Sequence, residues 1–242
     1  MRLTNYGFAI IIRSLLLVGA FVGLGIAFLC TADQSEELKN LSGEWVSLFD
    51  GTTTDHWKNP YEWGKIEIKE NEIQLTANKK FFLVTKKNYG DFVFEGEILL
   101  PEGKANSGFM YRCHVAKNKV TGYQAEVDGS DRRWSGGLYD EGRRKWLWPG
   151  RDGTTNVPEK AKSKEEGIAH FAKQEVKNAL KRNDWNKYQI VCQGNHLRVF
   201  VNGILITDVY DSMDAEGPIG IQHHGEKGQT YRFRNLRVKE LK

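Results

Sequence analysis

The residues of this chain best suited to chemistry are two carboxylates two positions apart, Glu126 and Asp128, with Arg112, Gln222 and His224. Such a set offers a base, a proton donor and a cation able to hold a developing oxyanion. Each lies in an alternating run, and alternation sorts a strand into two faces. In 122–128, Tyr123, Ala125 and Val127 fall on the apolar face and leave Gln124, Glu126 and Asp128 together on the other. In 107–115, Phe109, Tyr111, Cys113 and Val115 oppose Met110, Arg112 and His114. In 218–224, Ile219, Ile221 and His223 oppose Gly220, Gln222 and His224. If these strands are neighbours, Arg112, Glu126, Asp128, Gln222 and His224 form one polar floor. The plainer reading of each is a solvated residue, because outer faces of antiparallel sheets are polar anyway.

A second concentration is GGLYDEGRRKWLW (136–148), where Tyr139, Asp140, Arg143, Arg144 and Trp146 bring both charge signs and aromatic faces together. Aromatic planes beside planar polar groups suit a sugar ring; the bland alternative is a surface ion-pair cluster. His223, on the core parity, reads as a structural histidine, and His56 and His196 as turn or loop residues. No metal-ligand spacing is convincing. His223 and His224 are adjacent, so on a strand they point to opposite faces. There is no G-x-S-x-G elbow, H-E-x-x-H, P-loop or dinucleotide fingerprint.

The elements that must position these groups are strands. From Trp45 onward the apolar period is two, through KIEIK (65–69), FFLVT (81–85), NKYQIVCQ (186–193), HLRVFV (196–201), ILITDVY (204–210) and their like. Asn202-Gly203 between two such runs signals a two-residue type I′ hairpin. A dozen short strands predict one all-β domain, an antiparallel sandwich or barrel. Ser163-Lys164-Glu165-Glu166 has the form of a capping box. Ile168, Phe171, Ala172, Val176, Ala179 and Leu180 follow at helical spacing, so one amphipathic helix is expected over 163–181. The 140–160 stretch before it reads as a long surface excursion.

Residues 1–32 read as an export signal. Arg2 and Arg13 form its basic region, Ser14–Leu29 is apolar, and Cys30-Thr31-Ala32 puts small residues at a cleavage site. The expected organisation is a signal over 1–32, a linker over 33–43 and the working domain over 44–242, in the periplasm or secreted. An uncleaved leader would instead be a membrane anchor. The net charge of +4 falls to +2 without the leader's two arginines, a balance that asks for neither nucleic acid nor an anionic lipid surface. Cys113 and Cys192 are then the remaining cysteines; they are either buried thiols or a bridge.

The strings WVSLFDGTTTDHW, NSGFMYRCHV, GYQAEVDGS, SGGLYDEGRR, DWNKYQIVCQGNHLRVFVNG and GPIGIQHHGE…YRFRNLRVKEL, in order from Glu44 to Leu241, resemble the 3-keto-disaccharide hydrolase domain family. The resemblance implies a concanavalin A-like jelly-roll sandwich acting on glycosides already oxidised to a ketone at C3. It also implies roles: His224 and Glu126 as acid and base, and Arg112 on the ketone or enolate oxygen. Asp128 and Gln222 would bind hydroxyls, with Tyr139, Asp140, Arg143 and Arg144 at the rim. No cofactor is required; a divalent cation held by Glu126, Asp128 and His224 is compatible with the residues but not demanded by them. The 146–184 segment is longer than a minimal member of that family needs. Two other readings stay open. One is a retaining glycosidase built on Glu126 and Asp128, half of an E-x-D-x-E string; the other is a lectin-like module that binds sugar without cleaving it.

Overall fold

The computed structural model of the chain describes residues 40–150 and 164–242. The expected export signal, most of the expected linker and residues 151–163 of the excursion lie outside them. Gly43–Lys242 forms one compact unit. Its first sheet runs in the order β13 (Ile204–Tyr210), β12 (His196–Val201), β11 (Asn186–Gln193), β6 (Phe92–Leu99), β15 (Thr230–Glu240), β4 (Glu72–Thr76) and β3 (Lys65–Lys69). A further strand, β1 (Trp45–Ser47), also pairs with β15. The second sheet runs β10 (Lys145–Trp148), β9 (Leu138–Glu141), β8 (Lys119–Asp128), β7 (Asn106–Ala116), β14 (Gly220–His223), β5 (Phe81–Thr85) and β2 (Trp57–Lys58). All of these pairings are antiparallel, and the sheets stack as a jelly-roll sandwich.

Period-two alternation builds the layer between the sheets. Phe94, Ile98, Ile190, Leu197 and Phe233 from the first sheet meet Phe109, Tyr111, Tyr123, Ala125, Ile219 and Ile221 from the second. Phe109 sits at the centre, its ring 5.6 Å from Phe94 and 5.1 Å from Tyr188. Truncating such a residue to alanine costs about 3–5 kcal/mol. Asn202 and Gly203 make the β12–β13 turn with φ of 49° and 84°, both positive as a type I′ turn requires.

Three local expectations are corrected. The start of the excursion is not a loop: Leu138–Glu141 and Lys145–Trp148 form a hairpin that extends the second sheet. The helix is shorter and broken, into α1 (Lys164–Ala172) and α2 (Gln174–Lys177), and Ser163 lies outside the described residues. Lys173 between them is extended, with ψ of 138°. Phe171 and Val176 are both buried, and five residues on a continuous helix would put them well apart around its axis. The break brings both inward, while Ile168 is left 47% exposed and Gly167 is buried against Pro149 instead.

The third correction is a bulge in β7. The register with β8 shifts between Tyr111 and His114, and Arg112 adopts a φ of +45°. An extra residue in a strand reverses the facing of the residues beyond it. Arg112 therefore turns to the inner side. Cys113 turns outward into a small apolar cluster with Phe82, Val84, Met110 and Val120, whereas Cys192 lies in the main core. Both cysteines are free and buried, and burial pushes each thiol up to about 12.

Candidate active site

Three polar strand faces come together because β8, β7 and β14 are adjacent. Register places Gln124 opposite Met110, Glu126 opposite Gly108 and Asp128 opposite Asn106, and Gly220 beside Met110 across the next pairing. A cavity of about 410 Å³ opens over this floor. Glu126, Asp128, Gln124, Asn106, Gln222 and His224 line it together with Tyr139, Trp146 and Arg132.

Glu126 is the centre of the hydrogen-bonding pattern. It is 4% exposed and accepts from Asn106 Nδ2 at 2.6 Å, Gln124 Nε2 at 2.8 Å and Arg132 Nη2 at 3.0 Å. Burial pushes its carboxyl above the ordinary carboxylate range, against the downward pull of Asn106 and Arg132. Asp128, two residues on, goes the other way. Burial raises it too, but the Ser130 and Trp134 N–H donors and the Arg132 guanidinium outweigh that and hold it below its usual range. One strand thus presents a carboxyl tuned upward and a carboxylate kept ionised, the division of labour of an acid–base residue and its fixed neighbour.

Arg132 joins the two. Its Nε donates to Asp128 Oδ2 at 2.8 Å and its Nη2 to Glu126 Oε1. The guanidinium also lies 5.0 Å from the Trp134 ring centre and 4.6 Å from that of Trp146. Tyr139 packs edge-on against Trp146 at 5.2 Å, so the β9–β10 hairpin supplies an aromatic wall. Opposite, His224 Nδ1 is 2.8 Å from Glu226 Oε1. Burial would raise Glu226, but the Tyr231 hydroxyl donating to it outweighs this and holds it below its ordinary range. A carboxylate on one ring nitrogen fixes the orientation of the imidazole, which lines the cavity. Gln222 closes the floor, its Nε2 donating to Gln124 Oε1 at 3.3 Å.

Several residues expected at the site are elsewhere. Arg112 is 1% exposed and donates to Gly90 O, Gly194 O, Asp214 O and Asp91 Oδ1, at 2.7–3.1 Å. The β7 bulge takes it off the floor and makes it a tie between loops. Asp140 is fully buried, because its partner across β8 is the inward-facing Tyr123. It accepts from Arg143 Nε at 2.7 Å and Arg144 Nε at 2.5 Å. Arg143 then reaches Asp214, and Arg144 reaches Asp211. These residues knit the hairpin turn to the 211–214 segment rather than line a sugar rim. Of the hairpin residues expected at the rim, Tyr139 faces the cavity. His223 is structural, stacked 5.9 Å from Phe81, with its Nδ1 accepting from Gly225 N–H.

Arg132, Asn106 and Glu226 do not stand out in the sequence because each lies in a turn or at a strand end, where alternation is silent. One signal existed for Arg132. Asp128 Oδ1 accepts from Ser130 N–H at 3.0 Å, the turn that an Asp-x-Ser string favours, and it folds the following residues back over Asp128. The cation set Glu126, Asp128 and His224 does not converge: Arg132 spans the carboxylates and His224 faces Glu226. Among the described residues no group of three His, Cys, Asp or Glu is placed to hold a metal ion.

The fold is shared with several solved structures. A carbohydrate-binding module from Bacillus subtilis superposes with a TM-score of 0.52 at 16% identity, covering 76% of this chain and 96% of its own. An inferred glycosyl hydrolase from Parabacteroides distasonis gives 0.53 at 17%, covering 83% and 94%. A Bacillus subtilis protein of unknown function with a galectin-like fold gives 0.54 at 9%, covering 83% and 97%. At these identities the likeness is one of fold. No curated protein matches the chain in sequence. Residues 44–239, the span that holds both sheets and the cavity, match the 3-keto-alpha-glucoside-1,2-lyase-like domain model, and the chain belongs to that family.

Proposed function

We propose that the protein cleaves glycosides bearing a ketone at C3 of the sugar ring. What carries this reading is the meeting, in one cavity, of an upward-tuned carboxyl, an arginine and a histidine on an ionised carboxylate. The ketone acidifies the proton on C2. Glu126 takes that proton: a carboxylate has about four acceptor positions, and the three donors on it leave one lone pair. Arg132 and the neighbouring amides hold the enolate oxygen that forms. The enolate then collapses: a C1–C2 double bond forms, the ketone is restored, and the C1–oxygen bond breaks. His224 delivers a proton to the departing aglycone oxygen. Elimination is complete at that stage, and addition of water across the new double bond makes the net reaction a hydrolysis. Asn106 and Gln222 suit ring hydroxyls, and Tyr139 and Trp146 the apolar C–H face.

A retaining double displacement on Glu126 and Asp128 is the poorer fit. Asp128 is 1% exposed, and its two oxygens are engaged by the Ser130 and Trp134 N–H groups and by Arg132 Nε, so it is the anchor of the turn that carries Arg132 rather than a group presented to an anomeric carbon. The full chain is incubated with a 3-keto disaccharide and with its unoxidised parent, with and without chelator. Cleavage of the keto sugar alone, lost in Glu126→Gln, Arg132→Gln and His224→Ala, is the expected result. Cleavage of the parent overturns the reading in favour of an ordinary glycosidase. Binding without cleavage of either would make this a lectin-like module.

A further inference from the structure

The 164–182 segment is additional to the sandwich, and its contacts converge on the turn that carries Arg132. Trp134, two residues beyond Arg132, has its ring between three partners: the Arg132 guanidinium at 5.0 Å, Trp146 at 4.9 Å and Phe171 of α1 at 6.2 Å. Arg133 takes the opposite direction from its neighbours, with a φ of +56°. Its Nη1 donates to Asn178 Oδ1 at 3.1 Å and faces Lys177 O at the end of α2 at 3.5 Å. Asp131, on the other side of Arg132, is held by Arg182 at 3.0 Å. Every residue from 131 to 134 except Arg132 itself is thus fastened by the helical segment. Phe171 is 2% exposed and is seated on Trp148 and His170, so it is a fixed support.

We infer that the helical segment is a clamp that sets the pose of Arg132, with Phe171 and Arg133 as its positioning residues. The left-handed backbone at Arg133 lets consecutive side chains go opposite ways, Arg133 to the helix and Arg132 to the cavity. Release of either contact frees the turn, and Arg132 no longer spans Glu126 and Asp128. This inference rests on the function proposed above for its kinetic consequence, but not for its structural one.

The test uses Arg133→Ala, Arg133→Lys and Phe171→Leu in the full chain, with two readouts. The first is the titration midpoint of the Glu126 carboxyl, followed by carbon NMR, which needs no substrate. Arg132 stabilises the ionised carboxylate, so its departure moves the midpoint up. The other charged groups lining the cavity are Lys80, Lys104, Asp128, Glu141 and His224, none of which is substituted in these variants. The second is kcat/KM on a 3-keto disaccharide, expected to fall about ten- to a hundredfold through kcat, with partial recovery in Arg133→Lys. A midpoint unmoved in both Arg133→Ala and Phe171→Leu overturns the clamp, even if thermal stability falls. A raised midpoint in a protein that turns over no keto sugar upholds the clamp and sinks the proposed function instead.

Discussion

Arg112 separates a structural arginine from a catalytic one, and replacing it by methionine tests the assignment. The side chain is buried and makes four hydrogen bonds, three to carbonyls of Gly90, Gly194 and Asp214 and one to the Asp91 carboxylate. Those partners belong to three separate loops at one end of the sandwich. Methionine keeps most of the aliphatic stem but takes the donor from the carbonyls, of which that of the buried Asp214 is the one withdrawn from water, while Asp91 is half exposed. A buried acceptor left without a donor costs about 1–3 kcal/mol. For a domain of this size each kcal/mol moves Tm by about 2–4 °C, so a fall of about 2–12 °C is expected. Thermal unfolding by circular dichroism reads the fall. Turnover of a 3-keto disaccharide, measured well below the lowered Tm and normalised to folded protein, is expected to stay within a few-fold of the parent chain. An unchanged Tm with turnover abolished would refute this reasoning and return Arg112 to the reacting atoms.

Turnover should rise with pH through a midpoint above the ordinary carboxylate range, because the proposed base, Glu126, must be ionised to act and burial raises its pKa. The same shift bears on stability. A carboxyl raised on folding stabilises the native state below its unfolded value, and this contribution is lost as pH rises through the folded value; urea midpoints between pH 4 and 8 should therefore decline more in the parent than in Glu126→Gln. Gly108 faces Glu126 across the ladder, and a Cβ there would lie 2.4 Å from Gln124 Cδ. Gly108→Ala should push Gln124 off Glu126 and lower kcat at nearly unchanged Tm, as paired kinetics and calorimetry would show. Cys113 and Cys192, buried and pushed up to about 12, should resist a thiol reagent in the native protein and react only in denaturant.

How much was legible in the sequence depends on whether a residue sits inside a regular strand. KIEIK, NKYQIVCQ and HLRVFV announce their bounds because a half-buried strand alternates every two residues, and Asn202-Gly203 announces its turn because both positions take positive φ. The same period puts Glu126, Asp128, Gln222 and His224 on one face, and in the fold they share one cavity wall. Alternation fails at a single inserted residue. The bulge at Arg112 depends on how β7 pairs with β8, so nothing local marks it, and one residue of slip carried the arginine from the floor to the loops. Arg132 is the converse case. It sits in a turn with no period to read, and it reaches Glu126 only because Asp128 folds the chain back and the helical segment grips the residues around it. The strands and one wall of the site are set by local periodicity; the cation that completes the site depends on contacts between segments distant in the chain, which only the folded structure brings together.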